Sequence, residues 1–271
     1  MQKARYCFYA FSAISALYTG RNVKAQYLVS DEKHSISVGA EGGWMRNIQS
    51  GSFKNKCQCP FTNASGNSGA VSMFIEFETS KFLSFGMNLG IDTKYISTSK
   101  SVIDTATITF SANNNIAAGS FAFDRNDHAT VTYFFASPYI KITPFAIGLY
   151  FKVSPELGYL TSSNFIDSRS LNTQNIVLYQ PNRNDSITLT NVRFQNGTSS
   201  ETLQNSTIDG VNKLRVALLF GVGYDIPLIN NFSLLPEASY NWPLTNVSNS
   251  PQSANWKISS FAVTLGARYR F

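Results

Sequence analysis

Few residues in this 271-residue chain have the chemistry of a catalytic or metal centre. It holds two histidines, His34 and His128, and three cysteines. Asp124, Asp127 and His128 are close enough in sequence to be drawn as a carboxylate–imidazole group, the pairing that activates a hydroxyl or a water. No nucleophile motif accompanies them, and Ser and Asp recur throughout the same polar stretches, so no catalytic residue is assigned. Cys57-Gln58-Cys59 is too local for a disulfide of ordinary geometry. The surrounding stretch has no histidine to complete a metal site. No cofactor and no metal are expected.

The charges with an informative spacing lie elsewhere. Glu41, Glu76, Glu78, Asp92, Glu156, Asp225 and Glu237, with Lys94, Lys152, Lys213, Arg215, Arg268 and Arg270, fall at alternate positions of segments whose other positions are apolar. Successive side chains of a strand point to opposite faces, so all of these charges share the face opposite the apolar one. If that face lines the inside of a small closed barrel, the charges must pair, because an unpaired buried charge is costly. The expectation is a lumen filled by an ion-pair network. A narrow pore whose pairs exchange partners is the alternative chemistry. Glu156 and Glu237 could also do acid–base work, and their spacing does not separate that from packing.

The elements that would position these charges read as eight strands. Phe261, Val263, Leu265, Ala267, Tyr269 and Phe271 oppose Ser260, Ala262, Thr264, Gly266, Arg268 and Arg270. The same alternation runs through Ile36 to Trp44, Val71 to Glu78, Leu83 to Tyr95, Leu149 to Tyr159, Lys213 to Ile226, and Phe232 to Trp242. The remaining strand, about Thr130 to Ile142, is less regular and is expected to bend near Pro138. Short links at 79–82, 143–148 and 227–231 alternate with long polar ones at 47–69, 97–129, 162–212 and 245–255. Short turns at one end and long loops at the other, with small residues on the polar face, predict an all-β, closed antiparallel up-and-down transmembrane barrel. A hairpin at 175–180 and 186–194 reads as an extension of a loop, with ten strands as the alternative to eight.

Residues 1–25 read as a cleavable export signal. Lys3 and Arg5 precede an apolar stretch at 6–18 that is too short to span a bilayer, and Val23-Lys24-Ala25 presents a cleavage site. The formal net charge of +6 includes Lys3, Arg5, Arg21 and Lys24. All four leave with the signal, so the mature barrel of 26–271 is nearly neutral. No basic stripe remains for nucleic acid.

The terminal Tyr269-Arg270-Phe271, preceded by apolar residues at every second position, resembles the C-terminal signal read by the outer-membrane barrel assembly machinery. The repeated P-E-x-x-Y (Pro155 to Tyr159, Pro236 to Tyr240), the YDIPL turn from Tyr224 and the WPLTNV strand end from Trp242 resemble small outer-membrane β-barrel domains of Bacteroidetes and related bacteria. These include OmpA/OmpX-like barrels and relatives of the PorT component of type IX secretion. The resemblance covers most of 35–271. It implies outer-membrane lipid and the assembly machinery as partners, with an envelope or secretion complex as a further one, and specifies no activity. The function expected is a non-enzymatic barrel whose loops are a binding or assembly surface. A passive, porin-like channel and a lipid-modifying enzyme are the alternatives.

Overall fold

The computed structural model describes residues 35–54, 60–110, 116–145, 147–171, 176–180, 185–189, 192–194, 198–251 and 253–271. The export signal at 1–25, His34, Cys57 and Cys59 lie outside them. The described residues all belong to the unit His34–Phe271.

Eight strands form the wall: β1 (Ser35–Lys54), β2 (Ser65–Glu78), β3 (Leu83–Phe110), β4 (Ile116–Ile142), β5 (Leu149–Leu171), β6 (Leu214–Tyr224), β7 (Phe232–Pro243) and β8 (Ser253–Arg270). Each pairs antiparallel with its neighbours in sequence, and β8 returns to β1 from Ser37 opposite Arg270 to Ser50 opposite Lys257. The sheet is therefore closed. Ile176–Gln180 and Asp185–Leu189 pair only with each other, as a two-stranded sheet separate from the ring. The ring has eight strands, not ten.

Polarity is inverted relative to a soluble sandwich. Met73 is 72% exposed and Leu157 57%, whereas Glu76 is 2% exposed and Arg268 1%. A charged interior behind an apolar exterior is stable only where the exterior meets lipid. From Phe85 to Tyr95 the apolar face of β3 rises about 25 Å once strand tilt is included, the thickness of such a belt. Phe232, Tyr269 and Phe271 pack edge to face at its lower rim, with ring centroids 5.1 and 4.9 Å apart.

The irregularity expected near Pro138 has a local cause. Pro138 faces Pro155 across β4 and β5, neither has an N–H, and the ladder opens from Ala136 to Ile140. The hydroxyls of Ser137 and Ser154, 2.6 Å apart, fill the gap, and Ser154 Oγ donates to the Pro138 carbonyl at 2.5 Å. Inside the lower lumen, the rings of Tyr139 and Tyr150 lie flat against Gly86 and Gly223, where a Cβ would collide with them. Glycine at these two positions lets a large ring sit in a narrow barrel.

Much of two of the stretches read as long loops, 97–129 and 162–212, is strand. β3 and β4 stay paired from Leu83–Ile142 out to Thr109–Ile116, and β5 accompanies β4 as far as Leu171. Ser200–Ser206 adds a further strand on the edge of β5 beyond the end of β6. A sheet thus rises above one side of the barrel mouth.

Candidate functional site

The lumen carries stacked layers of charge. In the lowest, Arg268 Nη1 donates to Glu76 Oε1 at 3.0 Å, and Lys141 pairs with the same oxygen. Tyr139 Oη donates to Glu76 Oε2 at 3.0 Å, Arg268 pairs with Asp225, and Arg270 Nη2 donates to Glu78 at 2.6 Å. In the middle layer, Lys152 Nζ lies 2.7 Å from Glu237 Oε2 and 3.8 Å from Glu41 Oε2. Tyr150 Oη donates to Glu237 at 3.1 Å, and Ser72 and Asn88 donate to Glu41. In the upper layer, Arg215 bridges Glu156 at 2.8 Å and Asp92 at 3.2 Å, while Lys94 holds Asp92 at 2.7 Å.

Twelve of the thirteen charges read from the alternation therefore lie in these layers; Lys213 does not. It is exposed, one residue before β6, and only its carbonyl is tied down, accepting from Leu160 N. The alternation continues by parity past the point where the ring ends. Lys141, Tyr139 and Tyr150 belong to the network without having been singled out. The Pro138 bend hid the first two. Tyr150 hid because an aromatic residue between Leu149 and Phe151 carries no lumen signal. The two P-E-x-x-Y repeats now have a physical role: each turns its Pro outward and its Glu, Glu156 or Glu237, into the lumen.

Above the charges the lumen is apolar. Phe53, Ile96, Val131, Tyr133, Phe165 and Trp256 project inward from five strands. Phe61, Ala64, Ile208 and Val247 fold in over them from three connections. Trp256 stacks on Phe53 with centroids 4.9 Å apart, and Phe61 meets Phe165 edge to face at 5.6 Å. The connections are fastened. Gln49 Nε2 donates to the Phe61 carbonyl at 2.8 Å, Val247 N to Trp256 O at 2.7 Å, and Asn212 Nδ2 to Asn246 O at 2.7 Å. This lid was not foreseen, because its loop members carry no periodicity.

Outside the lid, Asp124, Asp127 and His128 do not converge. Asp127 points to the inner side of the extended sheet, where Arg125 Nε is 3.7 Å away and Arg125 also pairs with Asp167. Burial and the Asp167 carboxylate push the Asp127 carboxyl up to about 6. His128 points to the other side, its Nδ1 2.9 Å from Tyr95 Oη. Asp124 is four residues, or about 13 Å, along the strand from His128.

A closed antiparallel barrel with a lipid-facing belt, short turns at one end and long connections at the other has the architecture of bacterial outer-membrane proteins. This chain has that architecture. No family model matches it, and no curated protein does. Several solved structures are similar at low identity. The outer membrane protease OmpT from Escherichia coli is 12% identical, with a TM-score of 0.33, over 91% of this chain and 100% of that one. A major outer membrane protein from Thermus thermophilus is 12% identical, with a TM-score of 0.34, over 88% and 99%. Ail, the attachment invasion locus protein of Yersinia pestis, solved with the heparin analogue sucrose octasulfate, is 11% identical, with a TM-score of 0.28, over 88% and 100%.

Proposed function

We propose that this protein is a non-catalytic, non-conducting barrel of the bacterial outer membrane whose outer sheet and loops form a binding or assembly surface. The observation that carries the reading is the apolar lid over a lumen already filled by paired charges. A conducting pore needs a continuous wetted path. Here the path would cross a cluster in which Phe61, Phe165 and Trp256 have no solvent exposure. The separation of Asp127 from His128 on opposite faces supports the non-catalytic part of the reading.

In this reading residues 1–25 direct export and are removed, and Tyr269 and Phe271 are read by the barrel assembly machinery. The finer kinship is with the Bacteroidetes-type barrels that the P-E-x-x-Y, YDIPL and WPLTNV segments resemble, PorT relatives among them. The partner class that follows is a component of the cell envelope or of a secretion complex, docking on the sheet built by β3, β4, β5 and Ser200–Ser206.

Two measurements test this. Purified barrel in planar bilayers gives no stepwise conductance; resolved single-channel steps would replace the reading with the channel. Cross-linking on whole cells, followed by mass spectrometry, recovers a stoichiometric envelope partner joined through the outer sheet. A clean monomer would remove the assembly role.

A further inference from the structure

Arg125, Arg169, Arg215, Arg268 and Arg270 each pair with a carboxylate. Arg46 differs: its hydrogen-bond partners among the described residues are neutral. It stands on the outward face of β1 between Trp44 and Ile48, which are 46% and 49% exposed, and opposite Phe261 on β8, which is 45% exposed. No acidic residue occupies an outward position of β1 or of its two neighbours, β2 and β8. An arginine set among lipid-facing side chains thus receives no counter-charge from the wall around it.

The guanidinium is held in place. Nη1 donates to Asn67 Oδ1 at 3.1 Å and Nη2 to Ser65 Oγ at 2.7 Å, both on β2. Asn67 stands opposite Arg46, and Ser65 opposite Ile48. The side chain therefore leans one row towards the long-connection end and stops beside Ile48, still against apolar surface, instead of running clear of it into water. Two of its N–H groups are spent on these bonds, and the others remain as donors in a fixed plane. Lys257, on the outward face of β8, lies one row beyond Ile48, opposite Ser50.

An outward-facing arginine is costly in proportion to its depth in lipid unless an anion meets it. Tyr240 and Trp242, both exposed on the neighbouring β7, place this level of the wall in the outer aromatic girdle, where chains give way to headgroups. The end with the long connections is the extracellular one. Phosphate is the headgroup oxyanion that a planar guanidinium matches with paired hydrogen bonds. A soluble anion would match the guanidinium equally well, but the apolar flanks at Trp44, Ile48 and Phe261 match only a ligand that carries acyl chains.

We propose that Arg46, with Lys257 above it, binds a phosphate group of an outer-leaflet lipid whose chains lie along Trp44, Ile48 and Phe261. The site does not depend on what docks on the outer sheet. Protein purified from outer membranes and delipidated in detergent is titrated, by native mass spectrometry, with bis-phosphorylated lipid A, with the same lipid after removal of its phosphates, and with inorganic phosphate. The phosphorylated lipid is expected to bind roughly tenfold tighter than the dephosphorylated one. Inorganic phosphate at equal concentration does not displace it. Arg46→Gln abolishes the preference. Lys257→Gln lowers it, which keeps the test decisive if Arg46→Gln does not fold. Lys81→Gln, which removes one positive charge in the short link at the opposite end, leaves it unchanged. Equal binding of the two lipids, a preference that survives in Arg46→Gln, or one that falls as far in Lys81→Gln would each overturn the site. Displacement by inorganic phosphate would overturn its assignment to a lipid.

Discussion

At the scale of single residues, Glu76 ties three donors together. It accepts from Tyr139 and Lys141 on β4 and from Arg268 on β8. Replacing it by Gln leaves two cations sharing a neutral amide in a dry interior. Glu76→Gln should cost about 3–5 kcal/mol, read from urea unfolding in lipid vesicles. Gly86→Ala acts on the same site indirectly. The new methyl displaces the Tyr139 ring and with it the hydroxyl that donates to Glu76. A loss of about 1–3 kcal/mol is expected from the same unfolding curves. Sequence spacing located Glu76 and Arg268 because a charge inside an apolar alternation is conspicuous. It missed Tyr139, because the Pro138 bend breaks the alternation around it and the glycine that makes room for its ring lies on the neighbouring strand.

At the scale of elements, the membrane-spanning part of each strand was legible and its continuation was not. Within lipid one face must be apolar, and the period of two follows. Beyond the belt both faces of β3, β4 and β5 meet water or loop, so the ladder persists while the pattern that announces it disappears. Asp127 belongs to this outer region, beyond the Tyr95–Thr130 pair. Its carboxyl is pushed from 3.8 to about 6, so the folded sheet holds that proton more tightly than the unfolded chain does. The outer sheet should therefore gain stability as pH falls from 7 through 6 towards 4, by on the order of 1–3 kcal/mol. Hydrogen exchange of the outer amides of β4 and β5 checks this, and Asp127→Asn should flatten the dependence between pH 7 and 4. The lid is the other element-scale device. Trp256→Ala leaves a void among Phe53, Phe61 and Phe165 and should cost about 3–5 kcal/mol. It should not open a conductance, because the charged layers beneath it remain in place.

At the scale of the whole molecule, the barrel is closed from within and exposes apolar residues at its short-turn end. Phe82, Phe145, Ile147, Leu228 and Ile229 all lie in turns beyond the Phe232–Tyr269–Phe271 girdle, and Ile229 is 74% exposed. The turns sit at separate points around the ring, so they face one lipid annulus rather than forming one patch. A reach of a few residues past the belt ends inside the headgroup region. A fluorophore on Ile229→Cys, in a cysteine-free background, should be quenched by spin-labelled lipid and shielded from aqueous iodide. The reverse pattern would place these turns in free solvent.

Taken by itself, the sequence determined the period, the face and the sign: which residues share a side of each strand, that one side is apolar, and that the other carries charges needing partners. These are local quantities, set by the two-residue repeat of an extended chain. The tertiary structure decided everything that depends on closure. It chose which cation meets which carboxylate, placed Tyr139 and Tyr150 on glycines of other strands, and brought Phe61, Ile208 and Val247 together as a lid. Each of these joins residues far apart in sequence across a lumen only a few side chains wide, and only the register of the closed ring makes them neighbours.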